Sequence, residues 1–169
     1  MPYRDCVGVA VFNRGGQVFI GRRKPDPWTE DESEIEAPWQ MPQGGIDRGE
    51  DPYAAALREL HEETSIRSVR RVAEAPDWIQ YDLPDAALGI ALKGKYRGQR
   101  QRWFALAFTG EESEIDVAHP GDGSMPAEFD AWRWAALDSL PDLIVPFKRA
   151  AYLKVVSAFA GVPADIRSS

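Results

Sequence analysis

The segment MPQGGIDRGEDPYAAALRELHEETSI, residues 41–66, constrains the fold more than any other part of the chain. Asp51 followed by Pro52 starts a helix: the Asp side chain can cap it, and proline's missing N–H falls at the first position, where it would have no partner. The helix is predicted to run to about Thr64, with Tyr53, Ala56, Leu57 and Leu60 at apolar spacing forming one buried face. Glu59, Glu62 and Glu63 fall together on the side opposite that stripe. Acids three and four residues apart on a helix repel by roughly a few tenths of a kcal/mol per pair. Either water screens them or a cation sits among them. Carboxylates suit Mg²⁺ and Mn²⁺, and Gly44 and Gly45 just upstream let the backbone approach and offer a carbonyl as a further ligand. On the residue types alone both explanations stand, and a solvated acidic face is the commoner one.

Around this helix the sequence alternates strand and turn signals. CVGVAVF (6–12) and QVFIG (17–21), separated by NRGG, predict an opening β-hairpin. RVAEAPDWIQYDLP, RQRWFALAFTG and FDAWRWAAL, each rich in aromatic or aliphatic residues, read as strands. A last helix is predicted from Pro146 to Gly161, with Phe147, Ala151, Val155, Ala158 and Phe159 as its apolar stripe and Pro163 just beyond. Strands, a helix, strands and a helix, without repeats, predict an α/β sandwich with helices packed on a mixed sheet.

Length and charge narrow the function. A chain of 169 residues suits one domain spanning 1–169, and no segment reaches the roughly 18 unbroken apolar residues of a membrane span. The N-terminus lacks the features of a signal peptide, which predicts a cytoplasmic protein. Cys6, the only cysteine, lies in an apolar strand pattern that suits a buried, inert thiol. A net charge of −7 argues against duplex DNA as a partner. The charge is uneven. Residues 26–36 hold six acids and no base, which predicts a solvated insertion, whereas KGKYRGQRQR (93–102) holds five basic residues and no acid.

Gly44, Glu50, Arg58-Glu59-Leu60, Glu62-Glu63 and Ser65-Ile66, at their spacing within residues 44–66, resemble the signature of the Nudix hydrolases. One position departs: the family has glycine where Ser65 stands, at the helix C-terminus, where a left-handed backbone costs other residues roughly 1–2 kcal/mol. The flanking segments WQMPQGGID, GQRQRWFALAF, PAEFDAWRW and VPFKRAAY resemble the RNA pyrophosphohydrolase branch of the family and its relatives, the dinucleoside tetraphosphate hydrolases. The resemblance implies an α/β/α sandwich. It also implies removal of pyrophosphate from triphosphorylated RNA 5′ ends, which leaves a monophosphate and promotes RNA decay. The alternatives are asymmetric hydrolysis of diadenosine tetraphosphate or, with an intact box against it, a non-catalytic nucleotide or RNA sensor.

Carried onto this sequence, the resemblance implies Gly44, Glu59, Glu62, Glu63 and Glu128 as ligands of two or more Mg²⁺ or Mn²⁺ ions. Glu128 is the first choice of general base, with Glu62 or Glu63 as alternatives and Asp130 less supported. Arg58 would pair with a carboxylate and fix its rotamer. Val145, Phe147 and Lys148 would form a pocket for a terminal base, with Tyr81 a weaker candidate. Arg4, Arg22 and the 93–102 stretch would contact phosphates. His61 and His119 are expected to be bystanders.

Overall fold

The computed structural model describes residues 1–24, 38–89 and 91–169, with the side chain of Lys93 left aside. The acidic stretch 26–36 lies outside the described residues. Eight strands form one sheet: β1 (Tyr3–Phe12), β2 (Val18–Arg23), β3 (Trp39–Gln40), β4 (Gln43–Gly45), β5 (Val69–Glu74), β6 (Ile79–Asp82), β7 (Gly98–Phe108) and β8 (Phe129–Ala135). Helix α1 spans Pro52–Thr64, and α2 (Leu140–Leu143), α3 (Arg149–Ala158) and α4 (Val162–Arg167) follow the last strand. The strand order is β3-β2-β1-β7-β5, with β4 beside β1, β6 beside β7 and β8 beside β2. β1 and β7 are parallel from Tyr3↔Gly98 to Phe12↔Ala107, whereas the other pairings are antiparallel.

Both faces of the two central strands are covered, which is why CVGVAVF and WFALAF read as unbroken apolar runs. Alternation sorts them. Val7, Val9, Val11, Phe104 and Leu106 face α1 through Ala55, Ala56 and Leu60, while Ala10, Phe12, Trp103 and Ala105 face Tyr152, Val155 and Phe159 of the α3 side. The result is the expected α/β/α sandwich on a mixed sheet. A Cβ on Gly8 would overlap the Trp103 ring, so glycine here lets the fully buried indole lie flat on β1.

Several expectations are corrected. The hairpin pairs only at Phe12↔Val18; β1 then turns to β4, with Cys6, Val7 and Gly8 opposite Gly45, Gly44 and Gln43. Residues 71–84 are not one strand, because β5 ends at Glu74 and β6 begins at Ile79. Leu57 is exposed and Ala55 takes its place in the core. The last helix is divided into a 3₁₀ turn at Pro146–Lys148 and α3; Ala158 faces solvent, and Tyr152 is buried instead. Pro163 opens α4 rather than ending a helix, the first-turn position proline tolerates.

Candidate active site

Helix α1 begins as its sequence dictates: Asp51 accepts a hydrogen bond from Ala54 N at 3.1 Å, and Pro52 occupies the first turn. It ends at Ser65 in the left-handed region (φ 66°, ψ 4°), whose N–H donates to His61 O at 2.9 Å. Serine is tolerated there because its hydroxyl is used: Oγ donates to Asp116 O (3.2 Å) and His119 O (3.4 Å) and accepts from Asp122 N (3.3 Å). Ser65→Gly removes the backbone strain along with these long bonds, and is expected to stay within about 0.5 kcal/mol of the parent. Ser65→Ala keeps the strain and loses the bonds, destabilising by about 1–2 kcal/mol in urea unfolding. Equal midpoints for the two variants would show that the left-handed backbone costs alanine nothing, and a midpoint for Ser65→Ala equal to the parent's would show that the hydroxyl contributes nothing.

Arg58 is the hub of the site. Its Nε and Nη2 donate to the two oxygens of Glu50, each at 2.9 Å. Nη1 donates to Glu59 Oε1 (2.9 Å) and Glu62 Oε2 (3.2 Å), while Nη2 also reaches Gly45 O at 2.8 Å. Glu50 accepts in turn from Asp47 N at 3.0 Å. One guanidinium thus ties the glycine loop to the helix and fixes three carboxylates, a planar fork that lysine could not reproduce. The bidentate Arg58 bond holds Glu50 below the usual carboxylate range.

The carboxylates do not lie opposite the apolar stripe. Ala56, Leu60 and Glu63 follow one another at helical spacing, so Glu63 extends the buried face and is only 5% exposed. Glu59 and Glu62 flank it, with side chains 14% and 28% exposed. Glu63 accepts from Gln43 N at 3.3 Å. Glu128, on the loop before β8, brings its carboxylate within hydrogen-bonding reach of Glu63 and into the field of Glu59. Burial raises Glu59 to about 7 against the pull of Arg58. Burial first, then the charges of Glu128 and Glu59, raise Glu63 far above its usual value.

Two carboxylates in such contact share either a proton or a cation. A Cβ on Gly44 would fall inside the Glu59 carboxylate, so glycine makes room for that group against the β4 backbone. Buried oxygens in mutual repulsion beside a bare backbone fit a divalent cation. Among the described residues, no three His, Cys, Asp or Glu side chains form a cage by themselves. An open set of this kind suits Mg²⁺, which keeps waters and substrate oxygens in its shell.

The expected substrate residues fall into two groups. Arg4 reaches over the glycine loop, where a Cβ on Gly45 would overlap its guanidinium. Lys148 is 3% exposed, donates to Gln40 Oε1 at 3.4 Å, and lies 5.3 Å from the Tyr81 ring centre and 5.8 Å from that of Phe147. Tyr81 and Phe147 are 5.7 Å apart, and Val145 packs partly buried against the same core. Tyr81 is itself buried, which pushes its phenol well above the usual range. Arg22, by contrast, is paired with Asp130 at 2.6 Å.

The 93–102 stretch is not a bare cationic patch either: Arg97 pairs with Asp82, Arg100 with Asp5, and Arg102 with Glu74. Cys6 is fully buried and its thiol is pushed up to about 12, as expected of an inert cysteine. His61 is held by Asp122 at 3.0 Å, away from the carboxylates of the site.

Sequence reasoning missed the glutamines. Gln101 donates to Gln43 Oε1 (2.8 Å) and Gln99 Oε1 (2.9 Å) and accepts from Trp103 Nε1 (3.0 Å), all buried. Gln43 also hydrogen-bonds the Tyr81 side chain. A polar chain therefore joins Glu63, through the Gln43 residue, to the Lys148–Tyr81–Phe147 pocket. Its signal was present in GQRQRWF, where two glutamines and a tryptophan alternate on one face of an otherwise apolar strand.

A carboxylate cluster fixed by one arginine on a helix after a glycine loop, in this sandwich, defines a class: the chain belongs to the Nudix family and is a Nudix hydrolase, with the NUDIX domain model matching residues 2–155. Its relatives within that family are specific. It is 58% identical over 159 residues to an RNA pyrophosphohydrolase of Azorhizobium caulinodans, covering 94% of this chain and 93% of the relative. It is 59% identical over 160 residues to the RNA pyrophosphohydrolase of Rhizobium meliloti, covering 95% of each. Among solved structures, the C. elegans Ap4A hydrolase in a binary complex superposes with a TM-score of 0.61 at 16% identity, over 94% of this chain and 98% of that one. The E. coli dihydroneopterin triphosphate pyrophosphohydrolase does so with a TM-score of 0.62 at 19% identity, over 93% and 99%. At these identities the two structures attest to the fold alone.

Proposed function

We infer that this Nudix hydrolase removes pyrophosphate from the 5′ end of triphosphorylated RNA, leaving a monophosphate. The observation that carries the chemistry is the buried Glu63 carboxylate, met by the exposed Glu128 beside Glu59 and Gly44, a concentration of oxygen ligands bordered by the Arg58 guanidinium. The identity to RNA pyrophosphohydrolases supports RNA as the substrate. Gly44 O, Glu59, Glu62, Glu63 and Glu128 hold two or more Mg²⁺ or Mn²⁺ ions. When bound, these supply charge neutralisation at the phosphates and a lowered pKa for water.

The chain's own residues do the rest. Arg58 keeps Glu59 and Glu62 in place while substrate enters, so little reorganisation is needed at the moment of reaction. Glu128 takes the proton of the attacking water, with Glu62 or Glu63 as the alternative base. Lys148 and Arg4 offer positive charge to the polyphosphate, and Phe147, with Val145 and Tyr81, provides a face for the terminal base, where stacking is worth about 1–3 kcal/mol. Arg22 reaches substrate only by leaving Asp130. The enzyme works in the cytoplasm, without duplex DNA or a membrane as partner.

The test is a side-by-side assay with Mg²⁺ on a short 5′-triphosphate RNA and diadenosine tetraphosphate. Preference for the RNA, with pyrophosphate released, is expected. Preference for the dinucleotide would make this a dinucleoside polyphosphate hydrolase, and turnover of neither would point to a sensor.

A pH dependence follows from the buried carboxylates. Glu59 and Glu63 hold protons more tightly folded than unfolded, where they titrate near 4.5. Between that value and about 7 the native state carries more protons, so metal-free stability falls as pH rises through the window. Cation binding needs the ionised forms and offsets the loss. In thermal melts the protein in EDTA is expected to be less stable at pH 7.5 than at pH 6.0, and the gain from Mg²⁺ larger at pH 7.5. An equal Mg²⁺ gain at both pH values would contradict this assignment.

A further inference from the structure

At the other end of β1 the sheet closes on a second polar feature. A cleft of about 270 Å³ is lined by Arg14, Arg70 and Arg167, with Asn13, Thr109 and Phe108 beside them. Five to seven residues separate it along β1 from the Val7↔Gly44 pairing, so it lies about 20 Å from the carboxylate cluster.

The three arginines come from separate elements, each fixed. Arg14 sits in a turn closed by Asn13 N to Gln17 O (2.8 Å) and Gln17 N to Asn13 Oδ1 (2.9 Å). Arg70 is on β5, in register with Ala107 of β7. Arg167 ends α4, whose Pro163 packs so closely on the turn that a Cβ on Gly16 would crowd both residues.

None of the three has an acidic partner among the described residues, although the chain carries a net charge of −7. Several exposed arginines elsewhere do find acids: Arg22 with Asp130, Arg67 with Asp122, Arg97 with Asp82, Arg100 with Asp5 and Arg149 with Asp142. Among the described residues no ion pair joins Arg14, Arg70 or Arg167 to a carboxylate, and Arg167 spends one weak bond, 3.4 Å, on Gly15 O. The nearby Glu112 is turned to Trp134 Nε1 at 2.7 Å, although it and Glu111 share a neighbouring groove with Arg14. Three guanidiniums around one concavity repel each other until an anion enters, and their forked donors match phosphate oxygens.

We propose that this cleft is a binding site for phosphate groups, separate from the carboxylate cluster. The groups come either from the phosphodiester backbone of single-stranded RNA or from a small free anion such as pyrophosphate. The site stands whichever anhydride the carboxylate cluster cleaves.

The experiment compares the full chain with Arg14→Ala/Arg70→Ala, Arg70→Glu and, as a charge control on α3, Lys154→Glu, with binding followed in EDTA and turnover in Mg²⁺. A 5′-hydroxyl single-stranded RNA, which has no terminal polyphosphate for the carboxylate cluster, is followed by fluorescence anisotropy, and inorganic pyrophosphate by calorimetry. The double alanine variant is expected to bind RNA at least about tenfold more weakly, with a salt slope shallower by about 0.7 for each phosphate that is no longer neutralised. Turnover of a short triphosphate substrate and the melting temperature should be unchanged, since both replaced side chains are exposed. A loss confined to pyrophosphate assigns the cleft to a small anion. If neither probe distinguishes the double variant from the parent, or if Lys154→Glu weakens binding as much as Arg70→Glu, the arginines are a solvated patch and the proposal fails.

Discussion

Glu62→Gln is expected to lower turnover by about 10²–10⁴-fold while leaving the fold intact. Glutamine matches glutamate in shape and keeps a carbonyl oxygen for the 3.2 Å bond from Arg58 Nη1. The change removes the negative charge and the basicity. It also relieves repulsion between Glu62 and Glu59, whose acids meet at the same guanidinium nitrogen, so the melting temperature should hold or rise slightly. The separation of the two readouts is informative. A carboxylate present for stability would lose stability first, whereas one held by the fold for chemistry loses rate alone. Activity within tenfold of the parent would return Glu62 to the status of a solvated helix acid and leave Glu63 and Glu128 as the working pair.

What the sequence made legible, and what it hid, divides along a physical line. The start and end of α1 were readable because caps are local: Asp51, Pro52 and the left-handed Ser65 act within one turn. The two-sided burial of β1 and β7 was readable because apolar runs report it. Glu63 was misplaced because periodicity arguments treat every acid as outward-facing. Its spacing from Ala56 puts it on the core side, where a backbone N–H from Gln43 and a second carboxylate receive it.

The 93–102 stretch misled for a different reason. Its acids are remote in the chain: Asp5 reaches Arg100 across 95 residues because β1 and β7 run in parallel register. No local pattern announces such a pairing. Arg58 is the opposite case, because its partners Glu59 and Glu62 are one and four residues away. Its bidentate bond to Glu50 spans only eight residues, within the same box.

Gly44→Ala tests whether geometry at the carboxylate cluster, rather than the mere presence of acids, carries activity. Gly44 has no left-handed backbone, so alanine meets no conformational penalty there. The new Cβ would instead fall inside the Glu59 carboxylate, the flexible end of a side chain that can swing aside. Swinging costs Glu59 its 2.9 Å bond from Arg58 and its place against the β4 carbonyls. A displacement on the order of 1 Å can cost about 10²-fold in rate, so activity should fall by roughly that factor with the fold retained.

Gly8→Ala is the control. The obstacle there is the fully buried Trp103 ring, which has nowhere to go, so overpacking should destabilise the protein by about 1–3 kcal/mol. Activity per folded molecule should be spared. If Gly44→Ala instead unfolds the protein as Gly8→Ala does, Gly44 is a packing residue of β4. If it leaves the rate unchanged, Glu59 does not act from the position it occupies against the strand.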